Sequence, residues 1–117
     1  MKSNKDKGSA GEKKAIEYLE NNNYKIVSKN FSSKFGEIDI IAEKDENLIF
    51  IEVKYRKSNS HGSPLEAVTR YKQNTIIKVS KYFLYLNPEK YQKKFIRYDV
   101  IGIKGDNLDH IKGAFYG

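Results

Sequence analysis

Asp39, Glu52 and Lys54 interrupt two segments that otherwise read as buried β-strand, Glu37 to Glu43 (EIDIIAE) and Leu48 to Lys54 (LIFIEVK). A buried charge is costly unless it is paired or held against a metal ion. Strand side chains alternate between faces, so Glu52 and Lys54 share one face, and Glu37 and Asp39 share one face of the other strand. Register across the polar turn Lys44-Asp45-Glu46-Asn47 decides whether the two sets meet. A four-residue turn pairs Glu43 with Leu48, setting Asp39 opposite Glu52 and Glu37 opposite Lys54. A three-residue turn sends them to opposite faces. Four-residue hairpin loops are common, which favours the first arrangement.

Two carboxylates facing each other repel, and a divalent cation relieves that repulsion. Magnesium takes one or two carboxylates, keeps several waters and accepts a substrate phosphate. Such an ion, magnesium or manganese, can polarise a phosphoryl oxygen and lower the pKa of a bound water. Lys54 would position that water or neutralise charge on phosphorus, and the Val53 main-chain carbonyl would add a metal ligand. The bland alternative is a cross-strand salt bridge with no chemistry.

The elements on either side bear on that choice. Residues from about Ala10 to Glu20 have a helical pattern, and Glu12 falls in the middle of the Ala15–Ile16–Leu19 stripe. Either the helix frays before Glu12 and leaves it in water, or it packs on the sheet and aims Glu12 at the same metal. On a second long helix, Lys72 continues the Ile76–Val79–Phe83 stripe, with Gln73 beside it. These two would contact phosphate from the helix start, or Lys72 simply snorkels. Tyr55 and Arg56, directly after Lys54, would stack on a base or grip a phosphate, or only cover the sheet edge.

The chain has 117 residues, which suits one domain. A basic, lysine-rich stretch over residues 1–9 reads as a flexible tail, and residues 10–117 as a single domain. Asn21 to Asn23 end the first helix, and Tyr24 to Phe31 reads as a short strand before the hairpin. Ser63-Pro64-Leu65-Glu66 is a helix-start signature, and the helical pattern runs to Leu86 with a break near Arg70. Phe95 to Ile103 and Leu108 to Phe115 read as closing strands around a Gly105-Asp106-Asn107 turn. This order predicts an α/β domain, a central mixed sheet of four to five strands flanked by helices.

Composition narrows the chemistry. Cysteine is absent, which excludes disulfides and thiolate metal sites, and there are only two histidines. Any metal is therefore expected to be a hard ion on carboxylate oxygen. A formal charge of +7 and a pI near 9.4 suit a phosphate-binding protein, or equally a solvated lysine-rich surface. No signal peptide or membrane span is evident, so a cytoplasmic protein with no membrane partner is expected. His61 reads as a loop residue, His110 as pairing locally, and Asp99 as a supporting acid or a strand-end salt bridge. Tyr71, Tyr82, Tyr85 and Tyr91 read as residues at the edge of the core.

Asp39 followed by Glu52-Val53-Lys54 on the next strand resembles the PD-(D/E)xK signature of restriction-endonuclease-like nucleases, with Ile38 in place of the proline. Gly8 to Leu19 (GSAGEKKAIEYL), Gly36 to Ala42 (GEIDIIA), Phe50 to Arg56 (FIEVKYR), Ser63 to Val68 (SPLEAV), Tyr98 to Ile101 (YDVI) and His110 to Phe115 (HIKGAF) together resemble the YraN-like family. That family consists of small bacterial proteins assigned to the restriction-endonuclease-like fold. The placement of Glu12, Asp39, Glu52 and Lys54 is also similar to that of archaeal Holliday-junction resolvases. The resemblance implies Asp39 and Glu52 as metal ligands, Lys54 as the catalytic lysine and Glu12 completing the acidic cluster. It implies a magnesium- or manganese-dependent nuclease acting on DNA, branched or single-stranded, and a homodimer. The alternative is a nucleic-acid-binding module that keeps the nuclease fold without cleavage; a weaker third reading is a protein-interaction domain.

Overall fold

The computed structural model describes residues 4–117. Helix α1 spans Asn4–Asn21, so it starts ahead of the expected Ala10. Of the expected basic tail, residues 1–3 lie outside the described residues. Three strands follow, β1 (Lys25–Ser33), β2 (Gly36–Lys44) and β3 (Asn47–Arg56). A 3-10 turn, Pro64–Ala67, precedes α2 (Arg70–Leu86), and β4 (Phe95–Lys104) and β5 (Asn107–Phe115) complete the chain. The break expected near Arg70 is real: Thr69 caps α2 by accepting from the Lys72 N–H, and Ser63 caps the 3-10 turn through Leu65.

The sheet order is β1-β2-β3-β4-β5. The β3–β4 pair is parallel and the rest are antiparallel, giving a mixed sheet. Parallel neighbours need a long crossover, and α2 supplies it. One helix covers each face. On α1's side, Ala15 and Leu19 pack against Ile40, Ala42, Ile49, Ile51, Ile101 and Ile103. On the other, Ile76, Val79 and Phe83 of α2 pack against Ile38, Ile41, Leu48, Phe50 and Val100. Covered on both faces, β3 is apolar at nearly every position from Leu48 to Val53. Among the described residues no helix is long and apolar enough to cross a membrane.

A buried polar network clamps α1 to the far edge of the sheet. Asp99 is wholly buried and takes two bonds from Arg97, Nε to Oδ1 and Nη2 to Oδ2, both at 2.9 Å. His110 Nε2 lies 2.7 Å from Asp99 Oδ2, and the Gly113 N–H donates to Oδ1 at 3.0 Å. The register of β4 with β5 shifts between Tyr98 and Val100, and Gly113 at φ +59° sits in that irregularity. Glycine adopts this backbone without strain, which turns its N–H onto the carboxylate. His110 Nδ1 in turn lies 2.8 Å from the Tyr18 hydroxyl of α1, so His110 joins distant elements rather than pairing locally. Asp99 is the centre of this network, not a strand-end bridge.

These partners outweigh burial and hold the Asp99 carboxyl below its ordinary value of 3.8. A carboxyl lowered by folding stabilises the native state above its unfolded value and loses that contribution as pH falls through its folded value. Asp99→Asn is therefore expected to cost about 3–5 kcal/mol in urea unfolding at pH 7, and the gap to wild type should narrow as pH falls below 3.8. A constant gap across that range would contradict this account.

Candidate metal and phosphate site

The β2–β3 hairpin has the register in which Glu43 pairs with Leu48 and Lys44 with Asn47, closed by Asp45 at φ +55° and Glu46. Continued along the strands, this register sets Asp39 against Glu52. The ladder instead ends at Ile40–Ile51, and Asp39 Oδ2 accepts from the Val53 N–H at 2.8 Å. A side-chain carboxylate has replaced the strand partner, and the two strands fork there.

Alternation along β2 slips at the same place. Ile38 and Ile41 pack on α2's side, whereas Ile40 and Ala42 pack on α1's. On β1, Asn30 lies between the pairs Lys29–Ile40 and Phe31–Ile38, which puts it beside Asp39, at φ +53°. Asparagine tolerates this left-handed conformation better than most residues. Asp39 consequently stands between the two faces and can be approached from either.

From α1's side comes Glu12, half-buried rather than frayed into water. Carboxylate oxygens of Glu12, Glu37 and Asp39 all lie within 4.8 Å of one another. Burial raises the Glu12 pKa; the Asn30 side chain opposes this by hydrogen bonding, and the charges of Asp39 and Glu37 add to it. Glu37 does not face Lys54 as expected; it accepts from Ser32 Oγ at 3.2 Å. From α2's side comes Glu52, 5 % exposed. Burial, reinforced by a hydrogen bond with Asp39 and by its charge, pushes the Glu52 carboxyl up to about 8, against the attraction of Lys72 and Lys54. Lys72 Nζ is 3.7 Å from Glu52 Oε2. Charges of one sign about 4 Å apart repel by about 4 kcal/mol at a near-surface dielectric, so Glu12, Glu37 and Asp39 stay ionised together only with compensation.

The remaining predicted residues divide by what their side chains already hold. Gln73 Nε2 donates to the Val68 carbonyl at 3.1 Å and ties the start of α2 to the preceding turn. Arg56 Nη1 donates to the Gly62 carbonyl at 2.9 Å, while its Nε is buried without a partner. Tyr55 is half-exposed and lies against Gly11, where a Cβ would come within 3.3 Å of its ring. That close approach lets α1 bring Glu12 in beside the sheet. Val53 contributes its N–H, and Lys54 is half-buried on the Glu52 side of β3. His61 is exposed in its loop. Sequence reasoning missed Asn30, whose signal was an asparagine inside a strand pattern, where that residue is depleted.

The model of the uncharacterised protein family UPF0102 matches residues 11–103, from beside Glu12 through β4. This chain belongs to family UPF0102. It is 48% identical over 110 residues to UPF0102 protein FN1370 of Fusobacterium nucleatum, covering 94% of this chain and 91% of that one. It is 50% identical over 120 residues to UPF0102 protein CPE1705 of Clostridium perfringens, covering 97% of each. A UPF0102 protein of Persephonella marina is 43% identical over 109 residues, covering 93% of this chain and 92% of the relative. The YraN-like resemblance is thus one of family membership, over more than nine-tenths of the chain in these relatives.

The raised Glu52 carboxyl gives this UPF0102 chain a stability that falls with pH. The folded chain keeps a proton there that the unfolded chain loses near 4.5, so the penalty grows from pH 4.5 and is complete above about 8. In EDTA, Glu52→Gln should unfold at a temperature close to wild type at pH 5 and at a clearly higher one at pH 9. Parallel melting profiles for the two proteins across this range would refute it.

Proposed function

We propose that this UPF0102 chain has a restriction-endonuclease-like fold and is a magnesium- or manganese-dependent hydrolase of DNA phosphodiester bonds, working in the cytoplasm as a homodimer. One observation carries the reading: Asp39 stands at the fork of β2 and β3, its carboxylate within 4.8 Å of those of Glu12 and Glu37 on one side and its charge raising the Glu52 carboxyl on the other. All donors are oxygens, the ligands a hard divalent ion takes. The placement of Asp39 on β2 and Glu52-Val53-Lys54 on β3 supports the finer fold assignment.

When bound, the ion supplies Lewis acidity towards a phosphoryl oxygen and a water. Asp39, Glu52, Glu12 and the Val53 carbonyl would hold it. The Lys54 ammonium would neutralise charge on the non-bridging oxygens as the water oxygen bonds to phosphorus and the bond to the leaving sugar oxygen breaks. Lys72 and Tyr55 are half-exposed at the rim and would meet the backbone and a base. Arg56 and Gln73 already bind main-chain carbonyls and would hold the rim in shape.

The Glu52–Lys72 ion pair favours a second reading, a DNA-binding module without cleavage. Lys72 already compensates part of the acidic charge, as an ion would.

Cleavage assays on duplex, single-stranded and junction DNA with magnesium and with manganese distinguish the two. Asp39→Ala and Glu52→Ala should abolish cutting with circular dichroism unchanged, and Lys54→Ala should lower kcat about 100-fold or more. No cutting of any substrate, with DNA binding indifferent to EDTA, would replace hydrolysis by the binding module.

A further inference from the structure

Helix α2 carries a second stripe, on a face that its core packing leaves largely exposed. Ile76, Val79 and Phe83 face the core. Tyr71, Lys78, Tyr82 and Tyr85 recur at intervals of seven, four and three residues, which places them on one other face. Tyr71 and Tyr85 are 82% and 77% exposed, so they are not the core-edge residues their type suggests. The β1–β2 turn adds Phe35 to this row, edge-on to Tyr82 with ring centroids 6.2 Å apart and 41% exposed. Lys34 and Lys78 hold their ammonium groups 5.3 and 5.6 Å from the Phe35 ring centre. Charge on the helix has a single sign: Arg70, Lys72, Lys78 and Lys81, with no aspartate or glutamate.

We propose that this stripe is the track for an unpaired nucleic-acid strand, with bases stacked on Phe35, Tyr71 and Tyr85 and phosphates on the interleaved lysines. Aromatic faces alternating with cations are what a single strand needs and a duplex cannot use, because paired bases already stack on each other. From Tyr71 to Tyr85 the helix runs about 21 Å, enough for a strand of several nucleotides. The track ends at the acidic site, since Tyr71 precedes Lys72, which touches Glu52. In naming the substrate as unpaired strand, the proposal rests on the reading of that site as a nucleic-acid site. Its binding surface is separate.

Fluorescence anisotropy of the full chain in EDTA tests it, with labelled oligothymidylate and a duplex of equal length as probes. Wild type should bind the single strand more tightly. Tyr71→Ala and Phe35→Ala should each weaken single-strand binding roughly ten-fold while leaving duplex binding little changed, and Tyr71→Phe should restore it. Lys78→Gln should lower the salt dependence by about one phosphate contact. Single-strand binding untouched by Tyr71→Ala and Phe35→Ala, or equal losses on both probes, overturns the track. Loss of binding to anionic lipid vesicles instead of oligonucleotide in these variants also overturns it. Because binding is read without metal, absence of cleavage would sink the hydrolysis reading alone.

Discussion

The hydrogen bond from the Val53 N–H to the Asp39 carboxylate organises the functional end of this molecule. It takes the position of a ladder bond, so β2 and β3 part where regular pairing would have carried on. Three consequences follow from that substitution. Asp39 leaves the plain alternation of its strand, Asn30 on β1 takes up a left-handed backbone beside it, and Glu12 and Glu52 reach it from opposite sides of the sheet. A regular hairpin would keep each acid on its own face.

Holding several carboxylates in such a place costs stability, and the rest of the fold offsets it. Strand β3 has its apolar residues covered on both faces, and Asp99, saturated with four hydrogen bonds, locks β4 and β5 together. Tyr18 carries that lock to α1 through His110, about one and two-thirds turns from Glu12. Two polar clusters therefore lie side by side on the sheet, one on β2 and β3 and the other on β4 and β5. The Asp99 cluster is fully paired, whereas the Asp39 cluster brings four carboxyl groups together beside Lys54 and Lys72. Strained or under-compensated groups of this kind tend to collect at functional sites.

Much of this was legible in the residues. The hairpin, its register and the crossover helix follow from apolar runs, a polar turn and the Ser63 and Thr69 caps, all local signals. Charged residues inside buried strands pointed to Asp39, Glu52 and Lys54 for the same reason: a violated pattern needs a physical cause. What stayed hidden depends on departures from regular geometry. Glu37 joins the acids because the ladder stops early, and the Gly113 N–H reaches Asp99 because the β4–β5 register shifts there. Gln73 and Arg56 each donate one bond to a main-chain carbonyl, a contact their residue types do not announce. The exposure of Tyr71 and Tyr85 was likewise invisible to residue type alone.

The central claim is that the forked acids form one ion site. Anomalous diffraction from crystals of the full chain soaked in manganese tests this most directly. The account predicts a single strong peak in contact with both Asp39 and Glu52, with Lys72 withdrawn from Glu52. Crystals in which Glu52 remains paired with Lys72, and manganese binds elsewhere or not at all, would contradict it.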